Sequence, residues 1–251
     1  MKYYNNEFYS EQINGSRESA KVYFEILSQY LKVDSIIDIG CGRGPWLSAA
    51  KEFVLNQNGK LIGIDGPWNS QYDMIDNSIS YIGSDLNKPL NTQGLGRFDL
   101  CMSIEVAEHL HPNRSSELVN ELCTLSDVVM FSAAYLSQGG THHINERKHS
   151  YWAERFLENN YVVYDIFRHE VWGNSDVELW HQQNIFLYVK KYTEFERKMQ
   201  DIGVKKISNL EWLNAVHPEL YAKRIGIQGN VKYHLMKLLP QKLVVWLSNK
   251  F

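Results

Sequence analysis

The sequence predicts a doubly wound α/β fold built on a seven-stranded, mostly parallel sheet flanked by helices. Seven short apolar runs recur between helical or turn-rich stretches, at residues 35–40, 60–65, 79–85, 98–104, 127–134, 161–167 and 184–191. Several of these runs are apolar at consecutive positions, which is typical of strands covered by helices on both faces. The 251 residues, 44% of them apolar, suffice for one main domain with an appendage.

The first predicted element is an amphipathic helix from Ser16 to Leu31. Its apolar residues follow helical spacing; they are Ala20, Tyr23, Phe24, Leu27 and Leu31. Ser16 is placed to cap this helix, because a serine hydroxyl can accept a hydrogen bond from a free backbone N–H in the first turn. The helix therefore precedes the first strand of the sheet.

A glycine-rich loop follows the first strand, in the stretch SIIDIGCGRGPW at 35–46. Gly40, Gly42 and Gly44 stand two apart, which is one residue too short for the GxGxxG dinucleotide fingerprint. Asp38, two residues before the first glycine, would also face a pyrophosphate unfavourably. The loop therefore favours a cationic ligand over a phosphate, and the alternative is a plain tight turn between strand and helix.

The stretch DIGCGRG resembles motif I of the class I S-adenosylmethionine-dependent methyltransferases, and the resemblance extends to Asp65 in LIGID and to the stretch SDL at 84–86; with GCGRGPW, GIDGPW and the stretch 131–156, the resemblance to a bacterial subgroup of this family covers about residues 8–190. It implies a Rossmann-like class I methyltransferase fold with S-adenosylmethionine (SAM) as cofactor. SAM carries a positively charged sulfonium, which acidic neighbours favour. By this resemblance the cofactor-binding residues are Asp38, Gly40, Cys41, Gly42, Gly44, Asp65, Gly66, Asp85, Leu86 and Glu105.

The resemblance also implies a role for several of these positions. Asp38 would help to hold the ammonium group of SAM, and Asp65, at the end of LIGID, would accept hydrogen bonds from the ribose hydroxyls. Asp85 and Leu86, in the stretch SDL, would touch the adenine. Gly40 and Gly42 would let the backbone approach the methionine and ribose parts of the cofactor.

A second polar cluster follows the fourth strand, in the stretch SIEVAEHLHP. If this segment is helical, Glu105, Glu108 and His109 stand at i, i+3 and i+4 on one face. The fifth strand ends in AAYLSQGGTHHINE, a loop that carries His142, His143, Asn145 and Glu146 over the same edge of the sheet. Because ligands of open α/β sheets bind outside the carboxyl ends of the strands, both groups are expected near the transferable methyl group.

Carboxylates and imidazoles together suit a divalent ion such as Mg²⁺ or Mn²⁺. The pattern Glu-x-x-Glu-His with a later histidine resembles the metal site of small-RNA 3′-terminal methyltransferases, and EVAEHL also resembles ubiquinone-biosynthesis O-methyltransferases. A metal here would lower the pKa of an acceptor hydroxyl. The candidate metal ligands are Glu105, Glu108, His109 and His143.

A metal-free site is the alternative, because many methyltransferases of this fold carry a similar E-H-L stretch without a metal. One of His109, His142 and His143 would then take the hydroxyl proton. Adjacent side chains on extended backbone point in opposite directions, so His142 and His143 cannot both face the site, and His143 is preferred. The candidate catalytic residues are His109, His143 and Glu105.

The stretch FSAAYLSQGGTHHINERKHSYWAERF, residues 131–156, resembles a bacterial subgroup of class I methyltransferases associated with surface-polysaccharide and secondary-metabolite sugar pathways. The resemblance implies O-methylation of a sugar hydroxyl, on a small-molecule or lipid-linked acceptor. Two alternatives stay open: O-methylation of RNA or of another small molecule, and a non-catalytic SAM-binding subunit.

Charge divides the chain into two predicted domains. Residues 1–190, the methyltransferase domain, carry 15 Lys+Arg against 24 Asp+Glu, a net charge of −9. Residues 191–251 carry 11 against 5 and lack strand-like runs, which predicts a basic, helical C-terminal appendage. An acidic domain repels a phosphate backbone, so nucleic acid is a disfavoured partner.

The last predicted element is the basic amphipathic segment 231–251, with four lysines and no acidic residue. It can lie on an anionic membrane surface, pack on the acidic domain or form a homodimer contact. The sequence has no apolar stretch of 18 residues and no apolar signal-peptide block, so we expect a cytoplasmic protein, or one bound peripherally at the inner face of the membrane. The three cysteines form no CxxC pair and are expected to be buried free thiols.

Overall fold

The computed structural model describes residues 6–224, with side chains from residue 14 onward. Its strands are β1 (Val33–Ile39), β2 (Leu55–Asp65), β3 (Ile79–Gly83), β4 (Leu100–Ser103), β5 (Val128–Phe131), β6 (Tyr161–Tyr164) and β7 (Phe186–Lys190). Its helices are α1 (Asn6–Ser28), α2 (Pro45–Phe53), α3 (Thr92–Leu95), α4 (Ser115–Leu125), α5 (His149–Glu158), α6 (Arg168–Val171), α7 (Leu179–Asn184) and α8 (Glu194–Asp201). Short 3₁₀ helices lie at Gln71–Asp73, Ala107–His109, Pro112–Arg114 and Leu210–Asn214.

One seven-stranded sheet with the order β3-β2-β1-β4-β5-β7-β6 organises the fold. Strands β1 to β5 pair in parallel, whereas β7 is antiparallel to both β5 and β6. Each of the seven apolar runs overlaps one of these strands, so the predicted seven-stranded, mostly parallel sheet is confirmed. The order reverses at β1, and the carboxyl ends of β1 and β4 flank the crevice where ligands of such sheets bind.

Both faces of the sheet are buried, which explains why the strands are apolar at consecutive positions. Ile36 belongs to the hydrophobic cluster that includes buried residues of α1 and α2, and Ile37 belongs to the cluster that includes buried residues of α4 and α5. Neighbouring residues of a strand point to opposite faces, so a sheet between two helical layers needs both to be apolar. The three cysteines are buried free thiols, as predicted.

Helix α1 begins ten residues earlier than predicted, at Asn6, so the interpretation of Ser16 as its N-cap is wrong. Gly15 lies inside the helix, and the hydroxyl of Ser19 donates to its carbonyl at 2.9 Å. A glycine costs a helix only about 1 kcal/mol, which is too little to end one that packs against the sheet. Ala20, Tyr23, Phe24 and Leu27 form its buried face, as the spacing predicted.

The chain divides into two compact units, the first ending at Ala215 and the second beginning at Val216. The predicted boundary at residues 190 and 191 therefore lies inside the first unit. The physical reason is the buried Leu213, whose carbonyl oxygen lies within hydrogen-bond distance of His149 and Arg168. Within the second unit, residues 218–224 are helical.

No helix in residues 6–224 is long and apolar enough to cross a membrane. The basic segment 231–251 lies outside the described residues. Its three proposed roles therefore stay predictions.

Candidate functional site

The glycine loop joins β1 to α2 and needs left-handed backbone at Gly40, Gly42 and Gly44, whose φ angles are 88°, 56° and 84°. A Cβ on Gly40 would lie 2.2 Å from Cγ2 of Val106, so this glycine is in direct contact with the segment after β4. A Cβ on Gly42 would meet no described atom within 4 Å. The loop therefore exposes its backbone at Gly42, where a ligand can approach it.

Asp65, the last residue of β2, holds the glycine loop. Its Oδ2 accepts from the backbone N–H of Gly42 at 2.7 Å, and its Oδ1 accepts from the N–H of Gly66. Burial raises the pKa of Asp65, and these two hydrogen bonds oppose the rise. Each carboxylate oxygen has a second lone pair, so the side chain can also accept from the hydroxyls of a ligand.

Asp38 lies beneath the loop and is almost fully buried. Its Oδ1 has no hydrogen-bond partner among the described residues. Burial, and to a smaller extent the charge of Asp65, raise the pKa of Asp38 to about 7. A buried carboxyl in this state gains most from a cation, which would stabilise its charged form.

This carboxyl gives a testable proton linkage. A cation bound beside Asp38 should lower its raised pKa, so SAM binding at pH 6 should release protons, and SAM affinity should rise up to about pH 7 and then level off. Calorimetry at pH 6 in buffers of different ionisation enthalpy measures this release. Asp38→Asn should release fewer protons, whereas the control Asp201→Asn, at an exposed position, should behave like the wild type. Equal proton release by Asp38→Asn and the wild type would contradict the assignment.

The remaining predicted cofactor residues extend the same edge of the sheet. The backbone N–H of Cys41 donates to the carbonyl of Ile64 at 3.1 Å, which ties the loop to β2. Gly66 has no side chain, and the indole of Trp68 lies against it. The two N–H groups at Cys41 and Gly66 are thus already bonded within the chain, so any contact of these residues with a cofactor would use their other atoms.

Asp85 and Leu86 follow β3. The N–H of Ser84 donates to the carbonyl of Asp65 at 2.7 Å, so this segment adjoins the end of β2. Leu86 is buried and its carbonyl accepts from Arg114, whereas Asp85 is half-buried and lies near Lys88. The predicted adenine contacts are therefore one strand beyond the predicted ribose contact.

Glu105 departs from the predicted helix. Its φ is 55°, and only Ala107–His109 form a short 3₁₀ turn, so the expected helical face for Glu105, Glu108 and His109 is wrong. The reason is tertiary: the hydroxyl of Ser132 accepts from the N–H of Glu105 at 2.9 Å, and this bond holds the backbone out of the helix. A non-glycine residue in this conformation is strained, and such strain is concentrated at functional sites.

The carboxyl of Glu105 lies in a polar pocket that the sequence did not indicate. Nδ2 of Asn184 donates to its two oxygens at 3.2 and 3.3 Å and to Oε1 of Gln138 at 3.1 Å. Burial raises the pKa of Glu105 to about 7, and the hydrogen bonds from Ser132 and Asn184 oppose the rise. Such a carboxyl is suited to gain or lose a proton at neutral pH.

Glu108, His109 and His143 form a three-residue cluster. One ligand atom from each residue lies within 4.8 Å of the others, and Glu105 lies outside this set. Glu108 is fully buried, and neither of its carboxyl oxygens makes a hydrogen bond of good geometry in residues 14–224, although the carboxyl of Glu105 and the backbone of Ala134 lie close to it. Burial first, and the charge of Glu105 second, raise the pKa of Glu108. His142 is exposed, so His143 is the histidine that the loop brings to the cluster.

The two imidazoles pack edge to face, with ring centroids 4.8 Å apart. Partial burial of the ring, and next the proximity of His143, lower the pKa of His109, so this ring is neutral at neutral pH. Neutral imidazoles offer a lone pair to a metal ion or a proton. The donor set of one carboxylate and two imidazoles therefore fits a divalent ion, and the buried carboxyl of Glu108 needs either a cation or a proton.

Backbone hydrogen bonds join the two loops of this cluster. The carbonyl of Glu108 accepts from the N–H groups of Ile144 and Asn145 at 2.9 and 3.0 Å. The side-chain amide of Asn145 in turn donates to the carbonyl of Ala107 and the hydroxyl of Ser115. These bonds fix His143 beside Glu108, although the two residues are far apart in sequence.

No protein-family model matches the sequence, and no curated protein matches it. Magnesium protoporphyrin IX methyltransferase from Synechocystis PCC 6803, solved with bound SAH, is 15% identical, with 76% of this chain and 90% of that chain covered and a TM-score of 0.50. Mitomycin 7-O-methyltransferase is 11% identical, with 72% and 54% covered and a TM-score of 0.50.

Human N-acetylserotonin methyltransferase, solved in complex with SAM, is 14% identical, with a TM-score of 0.46. The match covers 69% of this chain but only 51% of that protein, about half its length. At sequence identities this low, structural similarity shows the fold and leaves the substrate open. The chain has the Rossmann-like fold of the class I methyltransferases.

Proposed function

We propose that this protein is a SAM-dependent methyltransferase that methylates an oxygen, namely a hydroxyl of a small-molecule or lipid-linked sugar in glycan biosynthesis. The observation that carries the proposal is the contact between Gly40 and Val106. It brings the glycine loop, suited to a cationic donor, against the segment that bears Glu105 and Glu108. Donor and acceptor groups thus share one edge of the sheet, as methyl transfer requires.

The proposed reaction is an in-line displacement. The acceptor hydroxyl oxygen forms a bond to the methyl carbon while the carbon–sulfur bond breaks, and its electron pair stays on sulfur, so the sulfonium becomes the neutral thioether of S-adenosylhomocysteine (SAH). The hydroxyl proton passes to a base. We assign this role to Glu105, because its buried carboxyl has a pKa raised to about 7 and is positioned by Asn184.

A divalent ion, Mg²⁺ or Mn²⁺, would be held by Glu108, His109 and His143. When bound, such an ion supplies Lewis acidity that lowers the pKa of a hydroxyl. The chain itself contributes a fixed set of donors: the neutral ring of His109, the loop-held ring of His143 and the buried carboxyl of Glu108. Glu105 lies next to this set and stays available for the proton.

A sugar acceptor is supported by the stretch 131–156, which supplies His143 and resembles sugar-pathway methyltransferases. The acidic charge of residues 1–190 disfavours a nucleic-acid acceptor. RNA is nevertheless the second candidate, because the sequence pattern Glu-x-x-Glu-His with a later histidine resembles the metal site of small-RNA 3′-terminal methyltransferases.

The test is transfer of a labelled methyl group from SAM to a panel of nucleotide sugars, lipid-linked sugars and single-stranded RNA. The proposal predicts that the label appears as an alkali-stable methyl ether on a sugar. EDTA should abolish this transfer, and added Mg²⁺ or Mn²⁺ should restore it. Label found on RNA alone would show that the acceptor is RNA and not a sugar. Full activity in EDTA would show that transfer needs no metal ion. SAM binding without transfer to any component of a cell extract would favour a non-catalytic subunit.

A further inference from the structure

We infer that Glu146 is the positioning residue that fixes the tautomer and orientation of His143. The inference rests on the proposed function, because it assigns how the chain prepares one ligand of the proposed metal site. The sequence places Glu146 on the loop over the site, three residues after His143, and indicates no specific role for it.

The carboxylate of Glu146 contacts both the imidazole of His143 and the backbone of its own loop. Its Oε1 lies 2.9 Å from Nδ1 of His143 and also accepts from the backbone N–H of Gly139 at 2.7 Å. The backbone bond anchors the carboxylate, so the oxygen does not depend on the histidine for its position. A carboxylate oxygen can only accept, so Nδ1 must carry the proton that it donates. Both side chains are mostly shielded from water.

The imidazole of His143 is closely surrounded by neighbouring groups. A Cβ on Gly140 would lie 2.2 Å from Cε1 and 2.3 Å from Nε2 of His143, so the ring lies directly against this glycine. The ring of His109 packs edge-on against it as well, with an interplanar angle of 84°. Glu146, Gly140 and His109 together leave the ring little freedom to rotate.

The consequence is that Nε2 is the free nitrogen of His143. With Nδ1 protonated, a neutral imidazole has its lone pair on Nε2, and only that atom can accept a metal ion or a proton. Carboxylate partners of this kind orient metal-binding histidines, and their loss typically weakens metal binding about 10- to 100-fold. Glu146 therefore prepares His143 before any ion arrives.

The experiment compares Glu146→Leu, which removes the acceptor, with Glu146→Gln, which keeps a neutral one. Titration of the full chain with Mn²⁺ alone should give affinities in the order wild type, glutamine variant, leucine variant, with a total loss of about 10- to 100-fold. Nitrogen-15 NMR of His143 in the metal-free chain should show the Nδ1–H tautomer in the wild type and a shift toward Nε2–H in the variants. A merely structural role would not move this tautomer ratio.

The matched control is Glu170→Gln, which removes the carboxylate of an exposed histidine pair, since Oε1 of Glu170 lies 3.0 Å from Nε2 of His169. It should leave Mn²⁺ affinity unchanged. Wild-type affinity and an unchanged tautomer in Glu146→Leu would overturn the inference, as would a wild type that binds no Mn²⁺. If the leucine variant does not fold, unchanged affinity and tautomer in Glu146→Gln overturn it. Absence of SAH binding would instead sink the proposed function and leave these measurements valid.

Discussion

Replacing Glu108 with glutamine should abolish Mn²⁺ binding and lower turnover by roughly a hundredfold or more, while SAM affinity stays unchanged. Glutamine has nearly the same shape as glutamate but cannot carry the negative charge that a divalent ion needs. The residue belongs to the cluster with His109 and His143 and lies outside the predicted donor contacts. Mn²⁺ titration, SAM titration and initial rates measure the three effects.

The same substitution should raise the stability of the metal-free chain at neutral pH, although it removes metal binding and activity. Burial raises the pKa of Glu108, so the metal-free folded chain binds a proton at this carboxyl more tightly than the unfolded chain does. This mismatch costs stability above the ordinary pKa of a glutamate. Metal-free Glu108→Gln should therefore be more stable than the wild type at pH 7, and the advantage should shrink as the pH falls toward that ordinary value.

The control is Glu117→Gln, at a mostly exposed position in the first turn of α4. It should change neither Mn²⁺ binding nor turnover. Tight Mn²⁺ binding by Glu108→Gln would show that the buried carboxyl is not a ligand. A large loss of stability at pH 7 would show that it has a structural partner.

Alanine substitutions in the glycine loop should separate folding from donor binding. Gly40→Ala should lower the free energy of unfolding by about 3 kcal/mol and remove SAM binding, because its φ is 88° and the new Cβ would lie 2.2 Å from Cγ2 of Val106. Gly42→Ala should cost about 1 kcal/mol, for strain alone, since no described atom lies within 4 Å of its Cβ position. Its methyl group would nevertheless occupy the space where the donor approaches, so SAM affinity should fall about tenfold or more.

Gly96→Ala is the matched control for Gly42→Ala. Gly96 also has a positive φ, of 77°, and no described atom within 4 Å of its Cβ position, but it lies after α3 and outside the glycine loop. It should lose at least as much stability as Gly42→Ala, because its ψ of −157° lies in a backbone region that is essentially restricted to glycine, and it should keep wild-type SAM affinity. Thermal denaturation measures the stability of the three alanine variants, and SAM titration measures their affinity for SAM. Equal SAM affinity in Gly42→Ala and Gly96→Ala would show that the donor does not bind at Gly42.

The fold was predictable because its signals are local. Each strand is a continuous apolar run, and helices on both faces require that pattern. The backbone conformation of the glycine loop was predictable for the same reason. Glycines at alternate positions permit the left-handed φ angles that the structure shows. The start of α1 was misplaced because Ser16 is a good capping residue that the helix simply passes through.

The acid–histidine site was only partly predictable, because its geometry depends on contacts between distant residues. Glu105 was expected on a helix, but Ser132, 27 residues later, holds it in a left-handed conformation. Asn184, 79 residues away, contacts its carboxyl, and the only signal was a run of amide side chains before the last strand. Glu146 was expected on the loop over the site, but its contact with His143 was not predicted, and the three-residue spacing between them was the signal that could have shown the pair.

The most direct test of the account is calorimetric titration of the full chain with SAH, the product that retains the nucleoside and ammonium groups. The account predicts one site with a dissociation constant in the micromolar range, weakened about tenfold or more by Gly42→Ala and unchanged by Gly96→Ala. A folded wild-type chain that takes up no SAH at millimolar concentration would contradict it.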